Sequence, residues 1–223
     1  MVDRSADYFP PRINLRVPDL MYVADVTNNA RQQRVDFGVV PTAGPVGTPY
    51  PLSTAAGTIT TGLPVQISGI AAAKWGRCIT VTPSGTGANA VNTVFGRDYL
   101  GQRMAEVFTL AGTTAKQSLK PFAWVDYVVS GTNANATDTV QIATTDKLGL
   151  PFSAIILSHS LMNGSTAGAH TFVARDNTSP ATAATTDPRG TVALSTASNG
   201  TRDFSAIVQL DTRNLHGVAQ FSG

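Results

Sequence analysis

The sequence predicts an all-β fold: an antiparallel β-sandwich or barrel body with an extended N-terminal arm. Two observations carry this. Glu106 is the sole glutamate, and Lys74, Lys116, Lys120 and Lys147 are the only lysines. Glu and Lys normally fill the solvent face of helices, so their scarcity beside abundant Thr, Val and Gly argues against helices. The second observation is rhythm. Short strand signals recur roughly every 8 to 15 residues with turn residues between them, the pattern of a sandwich or barrel. Two small β subdomains also fit the 223 residues.

Residues 1–35 read as the arm and 36–223 as the β domain. The arm carries Arg4, Arg12, Arg16, Arg31 and Arg34 against Asp3, Asp7, Asp19 and Asp25, and Pro10, Pro11 and Pro18 exclude a continuous helix. Its apolar residues, among them Tyr8, Phe9, Ile13, Leu15, Leu20, Met21 and Tyr22, are too many for a solvated tail. An arm of this kind gains order by lying on a partner. Tyr8, Phe9, Leu15, Met21 and Tyr22 are the candidate contacts to a neighbouring subunit. One short strand is expected over residues 20–26.

In the body, residues 35–39 alternate once, and residues 42–51 form a Gly/Pro-rich loop. Residues 58–70 form a weak strand pair broken at Gly62-Leu63-Pro64. A strand over 77–83 follows, then a turn at Ser84-Gly85-Thr86-Gly87. Residues 90–97 and 103–110 make a hairpin around Asp98-Tyr99-Leu100-Gly101. Residues 122–130 form a strong strand, with Phe122, Trp124 and Asp126 on one face and Ala123, Val125 and Tyr127 on the other. A strand over 139–143 leads into a loop at Lys147–Pro151 and an apolar strand over 152–158. Strands over 171–175, 190–195 and 203–210 complete the set. Asp187-Pro188-Arg189-Gly190 is a turn, with proline presetting its second position and Asp bonding back to the backbone. Asn199-Gly200 is a tight-turn dipeptide, so residues 190–195 and 203–210 are expected to pair.

Charge and reactive groups limit the chemistry. Charged residues make up 13% of the chain against a usual level of about 25%. The net charge is +2 and the arginines are scattered, so no basic face for nucleic acid is expected. No window approaches the roughly 18 apolar residues of a membrane helix. The N-terminal residues show no apolar leader core, so a soluble product assembled in a host cytoplasm is expected.

Cys78 is the single cysteine, set in an apolar strand as a buried small hydrophobe. His159, His170 and His216 are the histidines. A hairpin through Gly164 and Gly168 would bring the first two together, but no Cys, Asp or Glu between them completes a zinc set. Gly164-Ser165-Thr166-Ala167-Gly168 is a small-residue loop and lacks the pattern of a nucleophile elbow. Ser84-Gly85-Thr86-Gly87 lacks the lysine of a phosphate loop. Glu106 reads as the polar side of a strand, and no spacing singles out a glycosidase carboxylate pair among the aspartates. Trp75 and Trp124 are the tryptophans available to a glycan platform, and burial is the default for Trp124. No catalytic residue, cofactor or metal is predicted.

Three stretches occur in a familiar order. They are Phe95-Gly96-Arg97-Asp98-Tyr99-Leu100-Gly101-Gln102-Arg103-Met104-Ala105-Glu106, then Gly149-Leu150-Pro151-Phe152, then Asp187-Pro188-Arg189-Gly190-Thr191-Val192 with Asn199-Gly200-Thr201-Arg202 and Leu215-His216-Gly217. The succession resembles virion structural proteins of tailed phages. The resemblance spans roughly residues 75–217 and implies a non-catalytic subunit, of the capsid decoration (cement) type. Such a subunit sits on the outer capsid surface, binds the major capsid protein and its own copies as a dimer or trimer, and stabilises the shell. Competing readings are a tail, baseplate or head-fibre component, a carbohydrate- or receptor-binding module, and a cell-wall hydrolase.

Overall fold

The computed structural model describes residues 20–24, 31–52, 54–59, 65–66, 74–85, 88–166, 168–178, 181–182, 184–218 and 220. The all-β expectation holds: sixteen strands and no helix occur among them. In chain order they are β1 (Leu20–Ala24), β2 (Arg31–Val39), β3 (Tyr50–Pro51), β4 (Gly57–Ile59), β5 (Val65–Gln66), β6 (Arg77–Pro83), β7 (Val91–Arg97) and β8 (Arg103–Thr109). There follow β9 (Lys116–Gln117), β10 (Trp124–Ser130), β11 (Thr139–Gly149), β12 (Ala154–Met162), β13 (Ser165–Thr166), β14 (Thr171–Val173), β15 (Thr191–Ala193) and β16 (Asp203–Leu210).

All pairings are antiparallel, and three sheets result. The first has the order β1-β2-β16-β12-β13. The second runs β4-β10-β7-β8, with β5 also on β10. The third runs β14-β15-β11-β6-β9, with β3 also on β11.

Two apolar cores sit between these sheets. In one, Ile79, Val81, Val140 and Ile142 of the third sheet meet Val94, Met104, Phe108, Val125 and Val128 of the second. In the other, Leu148, Leu150 and Val192 meet Val35, Phe37, Phe204, Ala206 and Val208 of the first. Strand β11 serves both: its Val140–Ile142 end lies in one core and its Leu148 end in the other.

The join has a cause in one side chain. Pairing of β11 with β6 slips between Thr144 and Leu148. Such a slip frees backbone groups that must find other partners. Arg77, with no exposed surface, supplies them. Its Nε donates to Thr145 O at 2.7 Å, its Nη1 to Pro41 O at 2.8 Å, and its Nη2 to Asp146 Oδ1 at 3.0 Å and Ser198 Oγ at 3.1 Å.

Several expectations are corrected. Residue 35 lies inside β2, whose Gln33 and Val35 are buried, and β1 pairs with β2 in the same sheet, so residues 31–35 are strand and not extended arm. Lys147-Leu148-Gly149 is strand and not loop, because β15 pairs with it and Arg77 holds the slip beside it. Residues 190–195 and 203–210 do not pair. β15 joins β11 and β14, whereas β16 lies between β12 and β2. The Asn199-Gly200 turn is real: Gly200 has φ 78° and Asn199 Oδ1 accepts from Thr201 N and Arg202 N. It bridges two sheets because buried Ser198 is tied to Pro41 and Asp146. In β10 the two-face alternation breaks at a bulge between Val125 and Tyr127. Val125 and Val128 turn inward and Tyr127 outward.

Candidate functional site

The bulge in β10 shapes the outer face of the second sheet. One cross-strand row is Tyr127–Phe95–Ala105, and the next is Val129–Thr93–Val107. Val91 begins a third row opposite Thr109. An antiparallel sheet with one solvated face normally places polar side chains there. Here Val91 is 48% exposed, Val107 44%, Val129 37% and Tyr127 36%. The rings of Tyr127 and Phe95 stack at 4.7 Å with 13° between planes. Apolar side chains gathered this way, not scattered singly, mark a contact surface.

Charge is confined to one end of this face. Arg97 grips Asp126 with Nε 3.1 Å from both carboxylate oxygens and Nη2 2.6 Å from Oδ1. The guanidinium also lies 5.3 Å from the Trp124 ring centre. Beside it, Phe95, Gly96, Arg103, Met104, Asp126 and Tyr127 line a hollow of about 320 Å³. Gly96 is required there, since a Cβ would sit 2.0 Å from Trp124 O.

Asp98-Tyr99, Pro151 and Asp187-Pro188-Arg189, far apart in the sequence, meet inside the molecule. Arg189 Nη2 bonds Asp98 Oδ2 at 2.7 Å and lies 4.0 Å from Asp187 Oδ2, with all three side chains at most 1% exposed. Burial alone pulls the guanidinium pKa down. The Asp187 and Asp98 charges outweigh it, so the net shift is upward. Asp98 Oδ1 closes its own turn by accepting from Leu100 N and Gln102 N, and Asp187 Oδ1 accepts from Arg189 N. The Arg189 guanidinium lies 4.9 Å from the Tyr99 ring centre, and Tyr99 donates to Pro151 O. Trp75 packs edge-on against Tyr99 at 5.3 Å, and Gln220 Nε2 caps Asp187 Oδ2 at 2.7 Å. Asp98-Tyr99, Pro151 and Asp187-Pro188-Arg189 thus form a buried clasp between the second sheet and the loops of the other core. Asp98 and Asp187 are held on both oxygens and Arg189 Nη2 is paired with them, while Arg189 Nε and Nη1 have no hydrogen-bond partner among the described residues.

Glu106 differs from its expected place on the polar side of a strand. It is 3% exposed, on the same side of β8 as Met104 and Phe108. Its two oxygens accept from Leu119 N at 2.5 Å and Lys120 N at 3.0 Å. Burial raises its pKa to about 7 against those two donors. The same surroundings lower that of the buried Lys120, whose Nζ donates to Ala105 O at 3.3 Å and to Thr182 O.

His159 and His170 do come together, lining one groove, and an Asn-Gly turn brings them there. Asn163 (φ 51°) and Gly164 (φ 75°) form the tight hairpin between β12 and β13. His170 is buried, and burial lowers its pKa. Its Nδ1 accepts from Ser195 N at 3.1 Å and is 3.2 Å from Ser195 Oγ. The backbone donor occupies the lone pair that a general base would need. No His/Cys/Asp/Glu group of metal-binding geometry exists among the described residues. Cys78 is fully buried, and burial pushes its thiol up to about 12.

Of the arm contacts, Tyr8, Phe9 and Leu15 lie outside the described residues. Met21 and Tyr22 lie in β1, opposite Arg34 and Gln33 of β2.

Comparison with family models, with curated proteins and with solved structures returned no match.

Proposed function

We propose that this chain is a non-enzymatic structural subunit of a tailed-phage particle, a decoration protein that binds the outer capsid surface and strengthens contacts between major capsid protein subunits. The observation that carries the reading is the outer face of the β4-β10-β7-β8 sheet. It is a firm sheet with Val91, Val107, Tyr127 and Val129 exposed and charge kept to one end. Two cores stand behind that face, joined by Arg77 and by the Arg189 clasp, so it meets a partner with little rearrangement. The low charge content and the resemblance of residues 75–217 to tailed-phage virion proteins point the same way. Modest contacts repeated by the symmetry of a shell add through effective concentration.

The test is binding of the purified chain to bare shells of the parent phage. Val107→Asp and Tyr127→Asp change exposed side chains, so melting should stay within a few degrees of the parent. Each should weaken binding by about tenfold or more, since burial of one such side chain is worth about 1.5–3 kcal/mol. Unchanged binding by both variants would overturn the reading. So would turnover of a glycan substrate that a His159→Ala or His170→Ala change abolishes.

A further inference from the structure

A second surface lies on the opposite side of the other core. β12 pairs with β16 along its length, but on its other side β13 meets only Leu161 and Met162. At its start, Ala154 O accepts from Arg175 N. Between them, no described backbone group bonds to the backbone of residues 155–160 on the side away from β16, and His170 N reaches the Ser160 side chain alone. β14 pairs with β15 alone and ends its own sheet. An open groove of about 580 Å³ separates the two edges, lined by Ile156, His159, His170 and Phe172 among others. Ile156 is 51% exposed, the most of any large apolar side chain described. The far wall is fixed: His170 N donates to Ser160 Oγ at 2.9 Å, and its ring is held by Ser195.

A bare strand edge beside an apolar groove is built to take another strand. The sequence outside the described residues holds a candidate. In residues 12–17, Ile13, Leu15 and Val17 alternate with Arg12, Asn14 and Arg16. Pro11 and Pro18 bound the run, and no proline interrupts it, so every amide within it can donate. Its six residues equal the six of the bare edge, 155–160.

Reach decides which copy supplies the strand. Leu20 opens β1, at the opposite edge of the same sheet. Three spacings separate β12 from β1, so a strand added to its bare side stands four spacings of about 4.8 Å, about 19 Å, from β1 across the sheet. Pro18 and Asp19 let Val17 stand at most about 11 Å from Leu20.

We propose that residues 12–17 of one copy add as a strand to the 155–160 edge of β12 in a neighbouring copy, in the groove against β14. This rests on the reading above that the arm engages a neighbouring subunit, and it names the receiving site.

The test uses the full chain in two forms, Leu15→Cys and Ile156→Cys, one of them isotopically heavy, mixed and mildly oxidised. Cys78 stays native, since it is fully buried. The expected result is a 15–156 disulfide joining a light chain to a heavy one. Leu15→Asp and Ile156→Asp should each weaken self-association in sedimentation by about tenfold or more. The inference is overturned if the 15–156 link is absent from the mixture at high protein concentration. It is equally overturned if, in a chain carrying both cysteines, the link forms only within single chains. If Leu15→Asp abolishes shell binding but the link never forms, this inference falls and the decoration reading stands. If the link forms but Val107→Asp and Tyr127→Asp bind shells normally, the reading falls and this inference stands.

Discussion

Arg189→Met should unfold much of what holds the two cores in register. The guanidinium is 2.7 Å from Asp98 and 4.0 Å from Asp187, all three buried. At an effective dielectric near 20 these separations correspond to about 6 and 4 kcal/mol of gross attraction. Most of that offsets the cost of taking an arginine and two carboxylates out of water. Methionine restores the volume but strands two carboxylates, for which the net loss is about 3–5 kcal/mol. Against a typical total of about 5–15 kcal/mol, that is a large share. Urea unfolding followed by tryptophan fluorescence suits the question, because Trp75 sits edge-on against Tyr99 beside the clasp. Asp98→Asn keeps the turn-closing Oδ1 bonds and removes one charge. The double variant should therefore lose less than the sum of the singles, by about 1 kcal/mol or more. A loss under about 1 kcal/mol for Arg189→Met, or strict additivity in the cycle, refutes the claim that the clasp is a coupled buried ion pair.

Three further outcomes follow from particular contacts. Burial holds the Glu106 carboxyl at about 7, above its usual 4.5. The folded state then binds more protons than the unfolded chain between those values, so stability falls as pH rises from about 4.5 to 7 and levels above it. Glu106→Gln should remove that slope, worth about 3 kcal/mol, in melts across the window; an unchanged slope counts against burial as its cause. Gly96→Ala drives a methyl into Trp124 O and should cost about 1–3 kcal/mol in thermal unfolding, whereas Gly44→Ala, with nothing within 4 Å, should be close to neutral. Arg77→Lys offers no fork to Thr145, Pro41 and Asp146 at once. It should cost about 3 kcal/mol in urea, and a loss under about 1 kcal/mol would show that the slip in β11 needs no such filler.

Local pattern made most strands readable. The β7–β8 hairpin around Asp98–Gly101 follows from alternating residues and a turn whose Asp bonds its own backbone. What stayed hidden depended on distant partners. Thr144–Gly149 carries Asp146 and Lys147 and no alternation, so only β15 and Arg77 make it strand. The Asn199-Gly200 dipeptide announces a turn, but the tether on Ser198 decides that it joins two sheets. Glu106 sits inward because the loop at Leu119-Lys120 needs an acceptor, which neighbouring residues do not reveal. The exposed face has a legible sign in the sequence. Val91, Val94 and Phe95 put apolar side chains on both sides of one strand, which implies that both sides meet something. The Asn163-Gly164 dipeptide is a second such sign, as plain a turn signal as any in the chain.

The strand Thr139–Gly149 runs through both cores, and this limits how the molecule can fail. Neither half owns a complete set of strands, so melting one tears the ladder of the other. Calorimetry should give one peak, with calorimetric and van't Hoff enthalpies equal. Mechanically, the strand has one irregularity, between Thr144 and Leu148, and Arg77 braces it by holding Thr145 O and Asp146. Load on one half reaches the other through that braced stretch, which makes the Arg77 contacts the point on which the coupling depends.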